Sequence, residues 1–193
     1  PHMLVIHTSI PANNLKELIA YAQKNPGKIN MGINGIGSFD HLENLLFARA
    51  TGTKYTIVAY KGGDSGIPDL LSGAVPLSFN NPDTVVTHIR AGKLRGIAVG
   101  GDKRMPVAPD VPTFAEAGLK DFDASNQYVL YAPAATPRDI LEKLNASVAR
   151  IQSSKEMQDA LAQRGAAPFV SSVATTNAFV RTALEDFGKV VKE

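Results

Sequence analysis

Lys28-Ile-Asn-Met-Gly-Ile-Asn-Gly-Ile-Gly-Ser-Phe-Asp-His-Leu-Glu-Asn-Leu-Leu46 is the stretch whose reading decides the fold. The apolar alternation of Ile29, Met31 and Ile33 predicts a strand. It runs into Asn34, Gly35, Ile36 and Gly37, a loop whose glycines permit positive φ and close backbone approach. Ser38 is a natural N-cap, and Leu42, Leu45, Leu46 and Ala50 mark the expected inward face of the helix that follows. The first N–H groups of such a helix lack internal partners and lie at the positive end of its dipole, so the junction favours an anion. The alternative is an ordinary turn whose N–H groups are capped by Ser38 and water.

Outward from this junction, strand and helix alternate. A β-prone run spans Leu4 to His7, and a helix follows with Leu15, Leu18, Ile19 and Ala22 on one face, ended by Asn25-Pro26-Gly27. Strands are expected at Tyr55–Tyr60, Val75–Phe79 and Leu94–Val99, with helices through Ile67–Leu71 and Val85–Ile89 between them. Short punctuation throughout gives the pattern of an open, mostly parallel α/β sheet. Beyond Gly100 the prolines at 106, 109 and 112 mark an ordered loop, and Thr113 caps a short helix to Gly118. Gln127–Tyr131 reads as a last strand. The remainder is helical, with stripes at Ile140, Leu141, Leu144, Val148 and Ile151, at Met157, Ala160 and Leu161, and at Phe179, Val180, Ala183, Leu184, Phe187, Val190 and Val191.

The composition sets limits on function. The chain has 193 residues, 44% of them hydrophobic and 20% charged, as in a globular protein with a core. A net charge of +2, without a basic cluster interleaved with aromatics, gives no support to nucleic acid as a partner. Cysteine is absent, so disulfides and thiolate metal sites are excluded. His7, His41 and His88 lie far apart, and no metal or cofactor is expected. No run reaches membrane-spanning length and no signal peptide is evident. Pro1-His2-Met3 reads as a vector remnant ahead of native sequence.

Several motifs name chemistries that their contexts oppose. Gly63-Asp64-Ser65-Gly66 spells the tetrapeptide around a serine-protease nucleophile but opens a helix here, with no histidine in register. Gly35-Ile-Gly37 lacks the third glycine of a dinucleotide fingerprint, and no acidic residue ends the next strand. What remains is a cluster of loops after strand ends, where open α/β sheets bind ligands: Gly35–Ser38, Tyr60–Gly63 and Asn80–Asn81, with Gly100–Asp102 as a further candidate. His41 either faces an anion there or bonds a neighbouring loop carbonyl. Lys61 either adds charge or is solvated, and Tyr60 either lines a cleft or ends its strand. Asn80 and Asn81 fit both a binding edge and ordinary turn chemistry. These loops carry amides rather than a nucleophile with its base.

Taken in order, Gly35-Ile-Gly37-Ser38-Phe-Asp-His41-Leu42, Tyr60-Lys61-Gly62, Leu70-Leu71-Ser-Gly73, Ala91-Gly92-Lys93-Leu94-Arg95, Pro109-Asp110-Val111-Pro112-Thr113 with Glu116-Ala-Gly118, and Ala132-Pro133-Ala-Ala-Thr136-Pro137 resemble the successive motifs of one family. It is the Bug family, the periplasmic substrate-binding proteins of tripartite tricarboxylate transporters. The resemblance runs from Leu4 onward. It implies a type II periplasmic-binding-protein fold that closes on small carboxylates without catalysis and delivers them to the membrane components of a transporter. Gly35, Gly37, Ser38 and Phe39 match the loop that holds a ligand carboxylate, and Tyr60, Lys61 and Gly62 match a second loop bordering the cleft. His41, Asn80 and Asn81 complete the candidate set.

Two departures bear on that expectation. Family members begin with a further stretch forming most of the other lobe, so this chain is expected to hold one complete lobe at 4–125. A crossover strand and the C-terminal helices of an incomplete lobe would then occupy 126–193. Gln127 also stands where the family carries a Trp near the cleft. Helices left without their sheet would expose apolar surface costing several kcal/mol, at about 25 cal/mol per Å², so they are expected to repack or to pair with a second copy. The competing readings are a hydrolase using Ser65 or Ser38, and a sensory module that kept the fold.

Overall fold

The computed structural model describes residues 1–62 and 64–191, in two compact units, Pro1–Asn126 and Gln127–Glu193. The first unit is built on a five-stranded sheet. Its strands are β1 (Met3–His7), β2 (Asn30–Ile33), β3 (Thr56–Ala59), β4 (Leu77–Asn80) and β5 (Leu94–Val99), in the spatial order β3-β2-β4-β1-β5. β2 pairs parallel with β3 and β4, whereas β1 pairs antiparallel with both β4 and β5. Four strands therefore share one direction and β1 alone opposes them. Met3, Leu4, Val5 and Ile6 are fully buried, as befits a central strand covered on both faces.

Helices α1 (Leu15–Lys24), α2 (Phe39–Thr51), α3 (Ile67–Ser72) and α4 (Pro82–Arg90) connect the strands. α1 starts on an Asn14 cap that accepts from the Glu17 N–H, and Glu17 reaches back to the Asn13 N–H, so two donors are satisfied reciprocally. The expected inward face of α2 is rotated. Asp40, Glu43, Asn44, Phe47 and Thr51 are buried, while Leu45 and Ala50 are exposed and Leu42 and Leu46 half-buried. Phe47 turns the helix by entering a cluster with Tyr55, Phe79, Phe114 and Phe122, at centroid distances of 5.5–6.2 Å.

The same rotation buries Glu43, whose Oε2 lies 2.8 Å from His2 Nδ1. The three residues read as a remnant are built into this unit. Met3 pairs with Asn80 and Val99, the His2 N–H donates to Ala124 O, and His2 O accepts from the Gly100 N–H. Burial pushes the Glu43 carboxyl above its ordinary value of 4.5, outweighing the contact with His2 that acts the other way. The folded chain thus holds the proton more tightly than the unfolded one. Glu43 contributes most to stability below about pH 4.5, and that contribution is lost as pH rises through its raised folded value. Glu43→Gln is expected to flatten the fall in urea midpoint from pH 4.5 toward neutrality; an unchanged slope relative to the parent would contradict this.

Two expected elements are not regular structure. Thr113–Gly118 forms a single turn, in which Thr113 and Glu116 exchange backbone-to-side-chain bonds at 2.9 and 3.1 Å without a helix continuing. Among the described residues, Gln127–Tyr131 forms no strand: Tyr128 and Leu130 are 85% and 75% exposed. β-prone composition specifies a strand only beside a partner that takes up its backbone bonds.

The second unit contains helices α5 (Arg138–Gln152), α6 (Lys155–Gln163) and α7 (Val173–Val191). Their stripes stay partly open, with Ile140, Leu144, Ile151 and Phe179 38–49% exposed. The side chains of Val190 and Val191 lie outside the described residues. Tyr128, Leu130, Leu141, Leu144, Phe169 and Phe179 help line an apolar cleft of about 460 Å³ within this unit.

Candidate ligand-binding turn at the end of strand β2

β2 ends at Ile33 and delivers Asn34 to Gly37, where Gly35 and Gly37 take φ values of 145° and 80°. A side chain at either position would be strained, and the two glycines let the chain reverse into α2. Ser38 caps that helix, with its Oγ 3.4 Å from the His41 N–H. The same oxygen lies 2.6 Å from Gly35 O and 2.5 Å from Asp40 Oδ1. One hydroxyl proton serves one acceptor at a time, and the charge-assisted bond to Asp40 is the stronger.

Asp40 closes the turn. Its Oδ2 accepts from the Asn34 N–H at 2.6 Å, tying the end of β2 to the first turn of α2. It is 4% exposed, and sequence reading did not single it out. The available signal was an acidic residue in the first turn of a helix, which complements the dipole.

The loop donors are partly engaged within the chain. The Gly37 N–H, expected to face a ligand, donates to His41 Nδ1 at 3.1 Å, and the Ser38 N–H donates to Gly35 O at 3.2 Å. His41 thus bonds a loop amide rather than a loop carbonyl, and the ring accepts only with Nδ1 unprotonated. The Gly37 amide is open to an outside acceptor only when that ring is displaced. Phe39, the first residue of α2, packs edge-on against the His2 ring at 5.6 Å.

The neighbouring strand ends meet this turn. A Cβ on Gly35 would lie 3.8 Å from Tyr60 O, and one on Gly62 would lie 3.7 Å from Asn34 O, so the two loops run side by side. Tyr60 donates its hydroxyl proton to Asp69 Oδ2 at 2.6 Å, and its ring packs on Gly66. Desolvation, helped by Asp69, pushes the Tyr60 phenol up to about 12, so it stays protonated at neutral pH. Lys61 is exposed, and Gly63 lies outside the described residues. Asn80 Nδ2 donates to Ser78 Oγ at 2.6 Å. Asn81 is exposed at the N-cap of α4.

Asn34, Asp40, Tyr60, Ser78 and Asn80 help line a recess of about 20 Å³, whose lining also includes the apolar Ile67 and Leu70. The structure therefore brings Asn34, Gly35, Asp40, Tyr60, Gly62 and Asn80 together. Of the candidate set, Tyr60 and Asn80 line the recess, and Gly35, Gly37, Ser38, Phe39, His41, Lys61, Gly62 and Asn81 are not among its lining residues. The candidate nucleophiles are turned elsewhere: Ser65 Oγ donates to Gly62 O at 2.8 Å, and among the described residues neither it nor Ser38 Oγ bonds a histidine ring.

A family model described as the tripartite tricarboxylate transporter family receptor matches residues 1–193. The chain belongs to that receptor family. Protein BugT of Bordetella pertussis is 33% identical over 193 residues, covering 100% of this chain and 59% of its own length. A UPF0065 protein from the TAR-I ttuE-ttuC' intergenic region of Agrobacterium vitis is 32% identical, with 57% of its length covered. Among solved structures, Rpa4515 of R. palustris with adipate superposes at a TM-score of 0.87 with 32% identity, covering 100% of this chain and 64% of that one. MatC from Rhodopseudomonas palustris with bound malate gives 0.82 and 28%, covering 99% and 66%. The periplasmic binding protein BugD gives 0.83 and 29%, covering 99% and 64%. The chain thus spans less than two thirds of the length of these relatives. The family and these structural neighbours are receptors and binding proteins, and no described helix is long and apolar enough to cross a membrane.

Proposed function

We propose that this chain is the ligand-gripping part of a periplasmic receptor that takes a small carboxylate and passes it to the membrane components of a tripartite transporter. The turn at Gly35, Gly37, Ser38, Phe39 and His41 would hold the carboxylate. Tyr60, Lys61, Gly62, Asn80 and Asn81 would shape the surrounding wall. The observation that carries the reading is the arrangement at the C-terminal ends of β2, β3 and β4. There, two positive-φ glycines and a helix start lie beside the Tyr60–Gly62 loop. Relatives of the same fold solved with adipate and with malate support the ligand class.

Binding by this chain is expected to be weak. Association costs several kcal/mol of lost freedom before any contact is counted, and one turn supplies few hydrogen bonds to offset it. Its Gly37 amide must also be taken from His41. Calorimetric titration with adipate or malate is expected to give a Kd of about 1 mM or weaker. Nanomolar affinity would overturn that estimate, and turnover of ester substrates abolished by Ser65→Ala would favour the hydrolase instead. The reading includes a second copy of the chain as partner through the half-open stripes of α5 and α7. A sharp monomer in light scattering, with no dye-binding apolar surface, would count against that pairing.

A further inference from the structure

Asn34-Gly35 is the one Asn-Gly pair in the sequence. Asn34 stands just past the end of β2 and is exposed. Its N–H is tied to Asp40 Oδ2, but among the described residues nothing bonds its side-chain amide or the Gly35 N–H. Gly35 carries no Cβ to crowd the preceding side chain, and the space beside it is open: a Cβ there would meet only Tyr60 O, at 3.8 Å. Asn13, Asn14 and Asn81 are also exposed but differently placed. The side-chain amides of Asn13 and Asn14 both donate to Glu17. Asn81 precedes Pro82, whose nitrogen bears no proton. Asn34 alone of these four combines a free side-chain amide with an unhindered backbone N–H after it.

We propose that Asn34-Gly35 is a site of spontaneous deamidation, and that its conversion switches off anion capture at the turn. The second half rests on the receptor reading; the first does not. The Gly35 nitrogen, giving its proton to solvent base, attacks Asn34 Cγ. The bond from Cγ to the side-chain nitrogen breaks, ammonia leaves, and a five-membered succinimide remains. Solvent water then opens the ring at one of its two carbonyls, and nothing is oxidised or reduced. Opening at Cγ leaves an aspartate on an unchanged backbone. Opening at the α-carbonyl leaves an isoaspartate, whose chain runs through the former side chain and is one carbon longer. Both products put a carboxylate on a residue that shares the recess wall with Asp40, where like charges repel each other and an arriving anion. The longer backbone does more. Its extra carbon falls between the Asn34 N–H, held by Asp40, and Gly35 O, which accepts from the Ser38 N–H, so both ties cannot keep their register.

Incubating the chain at mildly alkaline pH and mapping its peptides by mass reads the conversion. The peptide holding Asn34 is expected to exchange NH₂ for OH about tenfold or more faster than those holding Asn13 or Asn81, whose following residues hinder or forbid ring closure. Conversion at Asn34 no faster than at Asn13 would overturn the site. Titrating malate into the ¹⁵N-labelled chain before and after incubation reads the switch. The fresh chain is expected to show shifts at Asn34–His41, and the converted chain to bind about tenfold more weakly or not at all. Asn34→Asp supplies the charge without the longer backbone and should share part of that loss. Asn34→Gln, which would have to close a larger ring, should keep its own affinity through the incubation. A converted chain that binds malate as the fresh one does would overturn the switch and leave the receptor reading standing. A fresh chain without shifts at Asn34–His41 at any malate concentration sinks the receptor reading and the switch with it, while the conversion is decided by mass alone.

Discussion

Gly100→Ala is expected to leave much of the chain unfolded under conditions where the parent is native. A Cβ at this position would lie 2.4 Å from both the carbonyl carbon and oxygen of Ala124 and 2.9 Å from its Cα. Those are backbone atoms, so no side-chain rotation relieves the overlap. Nor is the backbone free to retreat. Ala124 is fully buried, its carbonyl accepts from the His2 N–H at 2.7 Å, and His2 O accepts from the Gly100 N–H at 2.9 Å. Moving Ala124 far enough to seat a methyl group breaks the stitch that joins the segment entering β1 to the one leaving the first unit. A cost of about 4 kcal/mol or more is a large share of the 5–15 kcal/mol that holds an ordinary domain together. Urea unfolding followed by circular dichroism measures it. Gly188→Ala is the control, since nothing lies within 4 Å of its Cβ in α7 and helix propensity favours alanine. A Gly100→Ala midpoint within error of the parent would refute the close approach.

How much of this was legible in the sequence depends on the range of the interaction. The strand, glycine turn and capped helix at Asn30–Thr51 are set by neighbours along the chain, and their reading needed no tertiary information. Leu4–His7 was readable as a strand, but Met3 was set apart as a remnant, and the seat of the strand between β4 and β5 was not readable, because that placement depends on pairings with residues far along the chain. The face of α2 was misread for a related reason. Leu42, Leu45 and Leu46 score well in any hydrophobic periodicity. Phe47 is nevertheless held by four distant aromatic rings, and Glu43 finds a partner in His2. A helix with apolar residues on more than one side is oriented by whichever distant partners it meets.

The same division runs through the candidate site. The glycines of the turn and the Ser38 cap are local signals, and the structure places them where the pattern expected. Asp40 is adjacent to them in sequence, yet its role is set by geometry. It reaches back across the turn to the Asn34 N–H and forward into a recess walled by β4 and by Tyr60. The engagement of the Gly37 amide by His41 was equally hidden, since a histidine in the first turn of a helix has several partners within reach. Thr113 and Glu116 illustrate the limit from the other side. Their reciprocal capping bonds form as such a pair should, but the helix they announce is not continued beyond one turn.

Phe47→Ala is expected to destabilise the chain by about 3–5 kcal/mol, the usual cost of truncating a buried aromatic that cannot be replaced by collapse. Phe47 is fully buried, and its ring touches Tyr55, Phe79, Phe114 and Phe122 at centroid distances from 5.5 to 6.2 Å. Those rings come from the start of β3, from β4 and from the two segments after β5, so several independent elements would have to move together to fill the void. Edge-to-face contacts add to the loss from area alone. The consequence extends to the turn, because Phe47 is the anchor that sets the rotation of α2. With it removed, the helix is free to turn its leucines inward, which would carry Asp40 off the Asn34 N–H and open the loop. Phe47→Leu should retain roughly half of the lost stability by filling most of the volume without the ring geometry. Hydrogen exchange at Asn34 separates the two consequences. Faster exchange in Phe47→Ala than global unfolding accounts for would show that the aromatic cluster holds the site in register. Exchange that merely tracks the lowered stability would show that α2 keeps its orientation through the Ser38 cap and the Glu43–His2 contact alone.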